Sequence, residues 1–129
     1  MSSGIEAFVQ ANLTEDAHAY VSYSYADAER ERVSDSLILH SPEAMWSLIL
    51  DKEFWDDALQ IRLIGQHVGE RETWSGPTDS FFTVDFAASY QVNPQLKVWV
   101  RVDNLLDEEY QEILNYNGAP QAFSIGFNY

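Results

Sequence analysis

Apolar and polar residues alternate with a period of two along most of this chain, and this pattern constrains the fold more than any other feature. It is cleanest in residues 96–103, where every second side chain is aliphatic and the others are charged residues and a tryptophan. Such alternation is typical of a strand with two unlike faces, whereas helical periodicity is weak throughout. The sequence therefore predicts an all-β fold. The aliphatic positions are Leu96, Val98, Val100 and Val102.

The C-terminal segment 121–129 alternates in the same way and ends on an aromatic ring. One face carries large apolar side chains and the other carries small or polar ones. A last strand of this kind suits a transmembrane β-barrel, in which lipid-facing and lumen-facing positions alternate and rings mark the water interface. A soluble β-sandwich can also end on such a strand, so the segment alone does not decide. The large side chains are Phe123, Ile125, Phe127 and Tyr129.

Seven segments carry the alternation, and we expect them to form an antiparallel up-and-down meander of about seven strands. Turn and loop residues separate them. Within the last connection, we expect residues 107–114 to form one or two helical turns. The seven segments are 5–11, 17–28, 43–54, 59–66, 82–91, 96–103 and 121–129.

The connections between these segments alternate between short and long. The short ones are 12–16, 55–57 and 93–95, and the long ones are 29–42, 72–80 and 104–120. In an up-and-down meander, all three short turns and the C-terminus then lie on the same side. Outer-membrane barrels have short periplasmic turns and longer extracellular loops. The pattern therefore favours the C-terminal part of a transmembrane β-barrel.

Charged residues within the segments avoid the apolar face. An arginine facing lipid near the bilayer midplane would cost about 2–4 kcal/mol, whereas a watery lumen tolerates it. Lys52 is the exception, but it lies close to a turn, where its stem can reach the interface. Rings on the apolar face gather at segment ends, as in aromatic girdles. The charges on the polar face are Arg62, Asp85, Lys97, Arg101 and Asp103, and the end rings are Tyr25, Phe54, Phe82, Tyr90 and Tyr129.

Composition excludes several functions. The net charge of −14 argues against nucleic acid as a partner. The chain has no cysteine, so disulfides, thiol nucleophiles and cysteine metal sites are absent. His18, His40 and His67 lack metal-ligand spacing, and no acid–base pair stands beside a recognisable partner, so we expect neither a metal or cofactor nor an enzyme. No apolar run reaches the roughly 20 residues of a membrane helix.

The first residues carry no basic stretch and no apolar core, so the sequence shows no secretory signal. An outer-membrane protein needs export. We therefore expect this chain to be a fragment, a split gene or an incomplete gene model.

Four stretches resemble the C-terminal portion of the TonB-dependent outer-membrane receptors. Residues 40–51 are similar to the strand entry after a long external loop, 66–71 to the Tyr-Val-Gly-x-Arg strand end, and 84–90 to the Val-Asp-Leu-x-x-x-Tyr strand. The most specific is 102–110, Val-Asp-Asn-Leu-Leu-Asp-Glu-Glu-Tyr, which is similar to the family's Val-x-Asn-Leu-Phe-Asp-x-x-Tyr. Departures are Leu106 for Phe, His67 for Tyr, and Lys-Glu-Phe at 52–54 for Tyr-x-Phe.

The resemblance covers essentially the whole chain from about Gly4. It implies a barrel of roughly 22 strands with a plug inside, of which this chain supplies about the last seven. Such receptors take up iron–siderophore complexes, vitamin B12 or similar scarce ligands, driven by TonB through an N-terminal box. Residues 1–129 are thus expected to be a partial barrel domain without plug or N-terminal strands. Embedded in lipid beside the rest of the receptor, it would transport nothing alone.

The resemblance also assigns candidate site residues. Phe123, Ile125, Phe127 and Tyr129 would form the signal that the outer-membrane assembly machinery recognises by strand addition. The family motif comprises Asn104, Leu105, Leu106, Asp107 and Tyr110. Loop aromatics that could face an arriving ligand are Trp74, Tyr110 and Tyr116, with loop packing as the alternative for each.

Two other interpretations remain open. One is a self-contained small outer-membrane barrel with a structural or adhesive role, which would need an eighth strand and an export signal. The other is a soluble β-sandwich binding module whose apolar face packs on a second sheet.

Overall fold

A computed structural model describes residues 2–28, 42–73 and 75–129, and they form strands and no helix. In this part of the chain, no helix is therefore long and apolar enough to cross a membrane. The strands are β1 (Ser2–Thr14), β2 (Ala17–Ala28), β3 (Ala44–Phe54), β4 (Leu59–Val68), β5 (Arg71–Thr73), β6 (Gly76–Thr78), β7 (Phe81–Asn93), β8 (Leu96–Asp103), β9 (Gln111–Ile113), β10 (Tyr116–Asn117) and β11 (Ala122–Asn128).

Seven of these strands form one sheet in the order β1-β2-β3-β4-β7-β8-β11, and every neighbouring pair is antiparallel. Each long strand pairs with the next long strand along the chain. The predicted meander of about seven strands is therefore confirmed. The bounds differ mainly at β1 and β7, which extend beyond the segments 5–11 and 82–91.

The sheet sorts its connections by side. Residues 15–16, 55–58 and 94–95 close short turns at one end, while the strand ends joined by the long connections 29–43, 69–80 and 104–121 lie at the other. We call these ends the turn side and the loop side. Most of the long polar stretch 29–42 lies outside the described residues. In the turn 55–58, Trp55, Asp56 and Asp57 all have positive φ, so a tryptophan occupies a conformation that disfavours large side chains.

The helix expected at 107–114 is wrong. These residues lead into a hairpin of β9 and β10, with Asn115 at φ 69° in its turn. Side chains compete here for the backbone N–H groups that a helix would use. The N–H of Glu108 is bound by Asn104 Oδ1 at 2.9 Å, and the N–H of Asn115 is bound by Gln111 Oε1 at 3.0 Å. The loop 72–80 likewise contains a small hairpin, β5 with β6.

The sheet has almost no interior. Among the described residues, only three large apolar side chains are buried, at Val68, Phe81 and Val102. Many apolar side chains of the long strands are exposed instead. A globular domain of this size normally buries far more. The stability of this sheet must therefore come partly from surroundings that cover its apolar face.

Candidate functional site

The apolar face of the sheet is continuous and uncovered. The strand register aligns odd-numbered positions of β1 and β2 with even-numbered positions of β3, and these with odd-numbered positions of β4. Most apolar side chains of the four strands therefore lie on the same face. Val21, Leu50 and Leu63 on this face are all exposed although they sit within the sheet. We call it the outward face, because an uninterrupted apolar surface of this kind suits contact with lipid.

A row of rings crosses the outward face near the loop side. Tyr23 pairs with Trp46, Trp46 with His67, and His67 with Phe82, so four adjacent strands contribute to one line. The Trp46 and His67 rings stack with centroids 5.7 Å apart and planes 9° apart. The Trp46 and Phe82 centroids lie 5.5 Å apart. This row has the composition of an interfacial aromatic girdle.

A second group of rings lies at the turn side. Trp55 meets Tyr90 edge to face, with centroids 6.2 Å apart. Lys52 Nζ lies 5.3 Å from the centroid of the Phe54 ring and 3.0 Å from Asp16 Oδ2. The lysine therefore directs its charge into the turn, as predicted for a snorkelling side chain. The distance between this group of rings and the first row is about 20 Å along the barrel axis, given ~3.3 Å per residue and a strand tilt of ~40°. This distance is close to the ~25 Å height of the apolar band of an outer-membrane barrel.

The opposite, inward face carries most of the charged side chains of the strands, mixed with apolar ones, and several of its polar groups pair with one another. Arg62 donates from Nε and Nη2 to the two carboxylate oxygens of Asp51, at 2.6 and 2.9 Å. Arg101 Nε lies 2.6 Å from Asp103 Oδ1. Ser22 and Ser47 share a hydroxyl hydrogen bond of 2.7 Å across β2 and β3. Strand parity puts all five charges predicted for the polar side on this face: Arg62, Asp85, Lys97, Arg101 and Asp103.

Asn104 organises the base of the last loop. It is 4% exposed and adopts a positive φ of 50°. Its Nδ2 donates to the carbonyls of Glu108 at 2.9 Å and Ala119 at 3.1 Å, while its Oδ1 accepts the N–H of Glu108 at 2.9 Å. Its own N–H donates to Asp85 Oδ1 at 2.9 Å. One side chain thus joins both ends of the connection 104–121.

The neighbouring motif residues complete this junction. Leu105 donates its N–H to the carbonyl of Val84 at 2.6 Å, which extends the ladder between β8 and β7. Asp107, with φ 52°, accepts the N–H of Gln121 at Oδ1 at 3.2 Å. Gln121 Nε2 in turn donates to the Leu105 carbonyl at 2.9 Å. Leu106 is exposed and takes no part in these hydrogen bonds.

Tyr110, the last motif residue, packs against the sheet. Its ring stacks on Phe81 with centroids 4.3 Å apart. Its carbonyl accepts the N–H of Gly118 at 2.7 Å, and a Cβ at Gly118 would collide with the ring. Of the other loop aromatics, Tyr116 is exposed. Trp74 lies outside the described residues.

The two described loop hairpins touch one another. Ser75 Oγ donates to the carbonyl of Leu114 at 3.3 Å, and Gly76, at φ 129°, approaches the Leu114 side chain. A hollow of about 350 Å³ lies beside them, lined in part by Asp79 and Gln111. The hairpins of two different connections therefore form one unit on the loop side.

Strand β11 is an edge strand with an exposed apolar face. Phe123, Ile125, Phe127 and Tyr129 are between 70% and 92% exposed. On its inward face, Gly126 pairs with Trp99 of β8, and a Cβ on the glycine would meet the indole. Covering a strand glycine with a cross-strand aromatic compensates for its missing side chain. The far edge of β11 offers unpaired backbone groups for another strand.

Within residues 2–28, 42–73 and 75–129, no group of three or more His, Asp or Glu side chains converges where a metal ion could bind. His18 instead hydrogen-bonds Asn12 at 3.0 Å, and His67 stacks on Trp46. His40 lies outside the described residues.

Several known proteins are similar to this chain, although no family model matches it. The vitamin B12 transporter BtuB of Photobacterium profundum is 32% identical over 104 residues, which are 80% of this chain and 17% of that protein. The metal-pseudopaline receptor CntO of Pseudomonas aeruginosa is 27% identical over 129 residues, covering 92% of this chain and 18% of the receptor. The chain therefore spans less than a fifth of these relatives.

Solved structures share the fold. The ferric-catecholate import receptor Fiu of E. coli K12, in its open form, superposes on 98% of this chain with a TM-score of 0.80 at 21% identity. The ferric yersiniabactin uptake receptor FyuA of Yersinia pestis covers 97% with a TM-score of 0.76 at 16% identity. The matched region is 20% and 21% of those two chains.

These relatives are transport proteins of the outer membrane of Gram-negative bacteria. In them the matched strands are embedded in the membrane beside the rest of the receptor. Neither the small separate barrel nor the soluble β-sandwich is favoured by these similarities. The chain belongs to the TonB-dependent outer-membrane receptors and corresponds to the C-terminal part of their β-barrel.

Proposed function

We propose that this segment forms part of the wall of a receptor that takes up a scarce ligand, such as an iron–siderophore complex or cobalamin, across the outer membrane. The observation that carries the proposal is the contrast between the two faces of one sheet. The outward face is apolar, uncovered and bounded by rings, while the inward face pairs its charges. The names of the relatives, a vitamin B12 transporter and a metal-pseudopaline receptor, support this ligand class.

Residues 1–129 act as a partial barrel domain, and the plug and remaining strands come from the rest of the receptor. Both β1 and β11 are edge strands of the described sheet. Lipid does not tolerate open edges, so each must pair with a further strand. TonB acts through the N-terminal part of the receptor, and the segment transports nothing alone.

The outer-membrane assembly machinery recognises β11 by adding a strand to its free edge. Support comes from the position of β11 at the sheet edge and from the exposure of Phe123, Ile125, Phe127 and Tyr129. Their rings and aliphatic side chains all lie on the outward face.

Tyr116 and Trp74 contact the arriving ligand on the loop side. Tyr116 is exposed on β10, which supports this role. Tyr110 is the weaker candidate, because its ring is occupied by Phe81. Its motif partners Asn104, Leu105, Leu106 and Asp107 shape the loop base.

The test is expression of the receptor that contains this segment in a strain lacking its own uptake receptors. Labelled cobalamin and a panel of ferric siderophores would be offered to these cells. We expect a heat-modifiable outer-membrane protein and uptake of at least one ligand, abolished by de-energising TonB. A soluble monomer with a cooperative melt would contradict the proposal.

A further inference from the structure

Two arginines flank one alanine on the inward face of the sheet. Arg62 of β4 pairs directly with Ala87 of β7, and Ala87 pairs directly with Arg101 of β8. Neighbouring strands lie ~4.8 Å apart, so the two arginine backbones stand about 10 Å apart with only a methyl group between them. Their long side chains rise on either side of this gap.

Each arginine forms an ion pair with a carboxylate, and the ion pair uses only some of its guanidinium N–H groups. Asp51 takes the Nε and Nη2 atoms of Arg62, and Asp103 takes Nε of Arg101. Nη1 of Arg62 and both Nη groups of Arg101 take no part in these ion pairs. The two arginine side chains remain 55% and 56% exposed. The carboxylates therefore fix the guanidiniums in place while N–H groups stay available.

A hollow of about 510 Å³ surrounds this gap. Ala87 and Ser89 contribute to its lining from β7, and the rings of Tyr20 and Trp99 contribute from β2 and β8. Asp51 and Glu53 also line it. The small residues leave room for an inserted side chain. Arginine and lysine number only 7 in a chain of net charge −14, and the two arginines across this alanine each keep a paired carboxylate, so the gap holds two ion pairs.

We propose that Arg62 and Arg101 together bind a carboxylate side chain from the part of the receptor that lies inside the barrel. The inference rests on the proposed function, in which the rest of the receptor fills the lumen. The matched region is 17% of a relative's length, so most of the receptor lies outside this structure. Guanidinium groups bind carboxylates through paired, charge-assisted hydrogen bonds, which suits an Asp or Glu inserted over Ala87.

Ala87 and Ala88 provide a matched pair for the test, because they are identical neighbours on opposite faces of β7. A small diazirine amino acid would replace each one in the full receptor, followed by irradiation in outer membranes and mass spectrometry. We expect position 87 to cross-link to a receptor peptide that contains Asp or Glu, and position 88 to cross-link to lipid. Cross-linking from position 87 to lipid, or to a peptide without an acidic residue, would overturn the proposal.

Charge variants then test the two arginines themselves. The double variant Arg62→Gln/Arg101→Gln should lower the cross-link yield at position 87 by about tenfold, whereas Lys97→Gln on the same face should leave it unchanged. An equal yield in the double variant would overturn the carboxylate site. If heat-modifiability and ligand uptake persist in that case, the proposed function stands while this inference fails. If the receptor without these substitutions is absent from the outer membrane, both the proposed function and this inference are contradicted.

Discussion

The backbone N–H of Asn104 donates a hydrogen bond of 2.9 Å to Oδ1 of Asp85, and this contact ties the end of β8 to the inward face of β7. Asp85 thereby holds the left-handed turn that the Asn104 side chain closes from the other side. The base of the longest described loop is consequently fixed by two side chains, Asp85 of β7 and Asn104 directly after β8.

Replacing Asn104 by alanine should destabilise the loop base by about 1–3 kcal/mol, because the carbonyls of Glu108 and Ala119 lose the donor that the buried Asn104 side chain supplies. Limited proteolysis of the folded receptor within 104–121 would measure the effect. Asn104→Asp keeps the acceptor for Glu108 and should lose less than alanine. Asn104→Gly adopts the positive φ without strain but lacks the side chain, so it isolates the loss of the side-chain hydrogen bonds. Equal cleavage rates for wild type and Asn104→Ala would contradict the junction.

Enlarging Gly126 should disturb the pairing of β11 with β8. Its Cβ would meet the Trp99 indole, and overpacking typically costs about 1–3 kcal/mol. We expect Gly126→Val to lower the temperature at which the folded receptor unfolds in detergent gels, and Trp99→Leu to restore part of it. Ser124→Ala, on the same face of the same strand, should change little. A Gly126→Val receptor as stable as Ser124→Ala would rule out this packing.

The outward residues of β11 should control assembly. Alanine at Phe127 and Tyr129 together should reduce the receptor in the outer membrane several-fold, since the recognition strand loses its rings. Quantitative blotting of fractionated membranes would measure this. The inward pair Ser124→Ala/Asn128→Ala is the matched control and should assemble normally. Equal loss in both double variants would show that neither face is recognised specifically.

The turn around Asp16 has a defined pH dependence. The pKa of this carboxyl is lowered from its ordinary value of 3.8, first by the hydrogen bond from Thr14 Oγ1 and then by the one from Lys52. Because the folded pKa lies below the unfolded one, its stabilising effect is present above 3.8 and is lost as pH falls through the lowered value. The effect is small, since the group is fully exposed and screened by solvent.

We therefore expect Thr14→Val to raise the pKa of Asp16 more than Lys52→Gln does. Carboxyl chemical shifts of labelled receptor in detergent would follow the titration. A larger effect from Lys52→Gln would reverse the assigned order of causes.

Much of the sheet could be predicted because each strand carries its own two-residue period. Strand parity alone placed Arg62, Asp85 and Arg101 on one face, and the alternation of short and long connections placed the short turns on one side. The hairpin of β9 and β10 could not be predicted in this way. We expected one or two helical turns at 107–114, whereas Asn104 and Gln111 accept the local backbone N–H groups through side chains that an analysis of periodicity does not register.

The candidate site was predicted only in part, because its contacts also join residues that no local sequence pattern connects. The family motif pointed to Asn104, but its partners Asp85 and Ala119 come from distant positions that only the fold brings together. Asp85 was expected simply as an inward charge. The alignment of Arg62, Ala87 and Arg101 likewise depends on the register of three strands, which no single segment specifies.

The central claim is that one face of this sheet meets lipid and the other does not, and β8 tests it most directly. This chain has no cysteine, so single cysteines at positions 97–101 can be labelled with a fluorophore in the folded receptor, provided its other cysteines are removed. Nitroxide lipids should quench labels at Val98 and Val100, which are not buried, and spare those at Lys97, Trp99 and Arg101. Quenching without this alternation would contradict the assignment of the two faces.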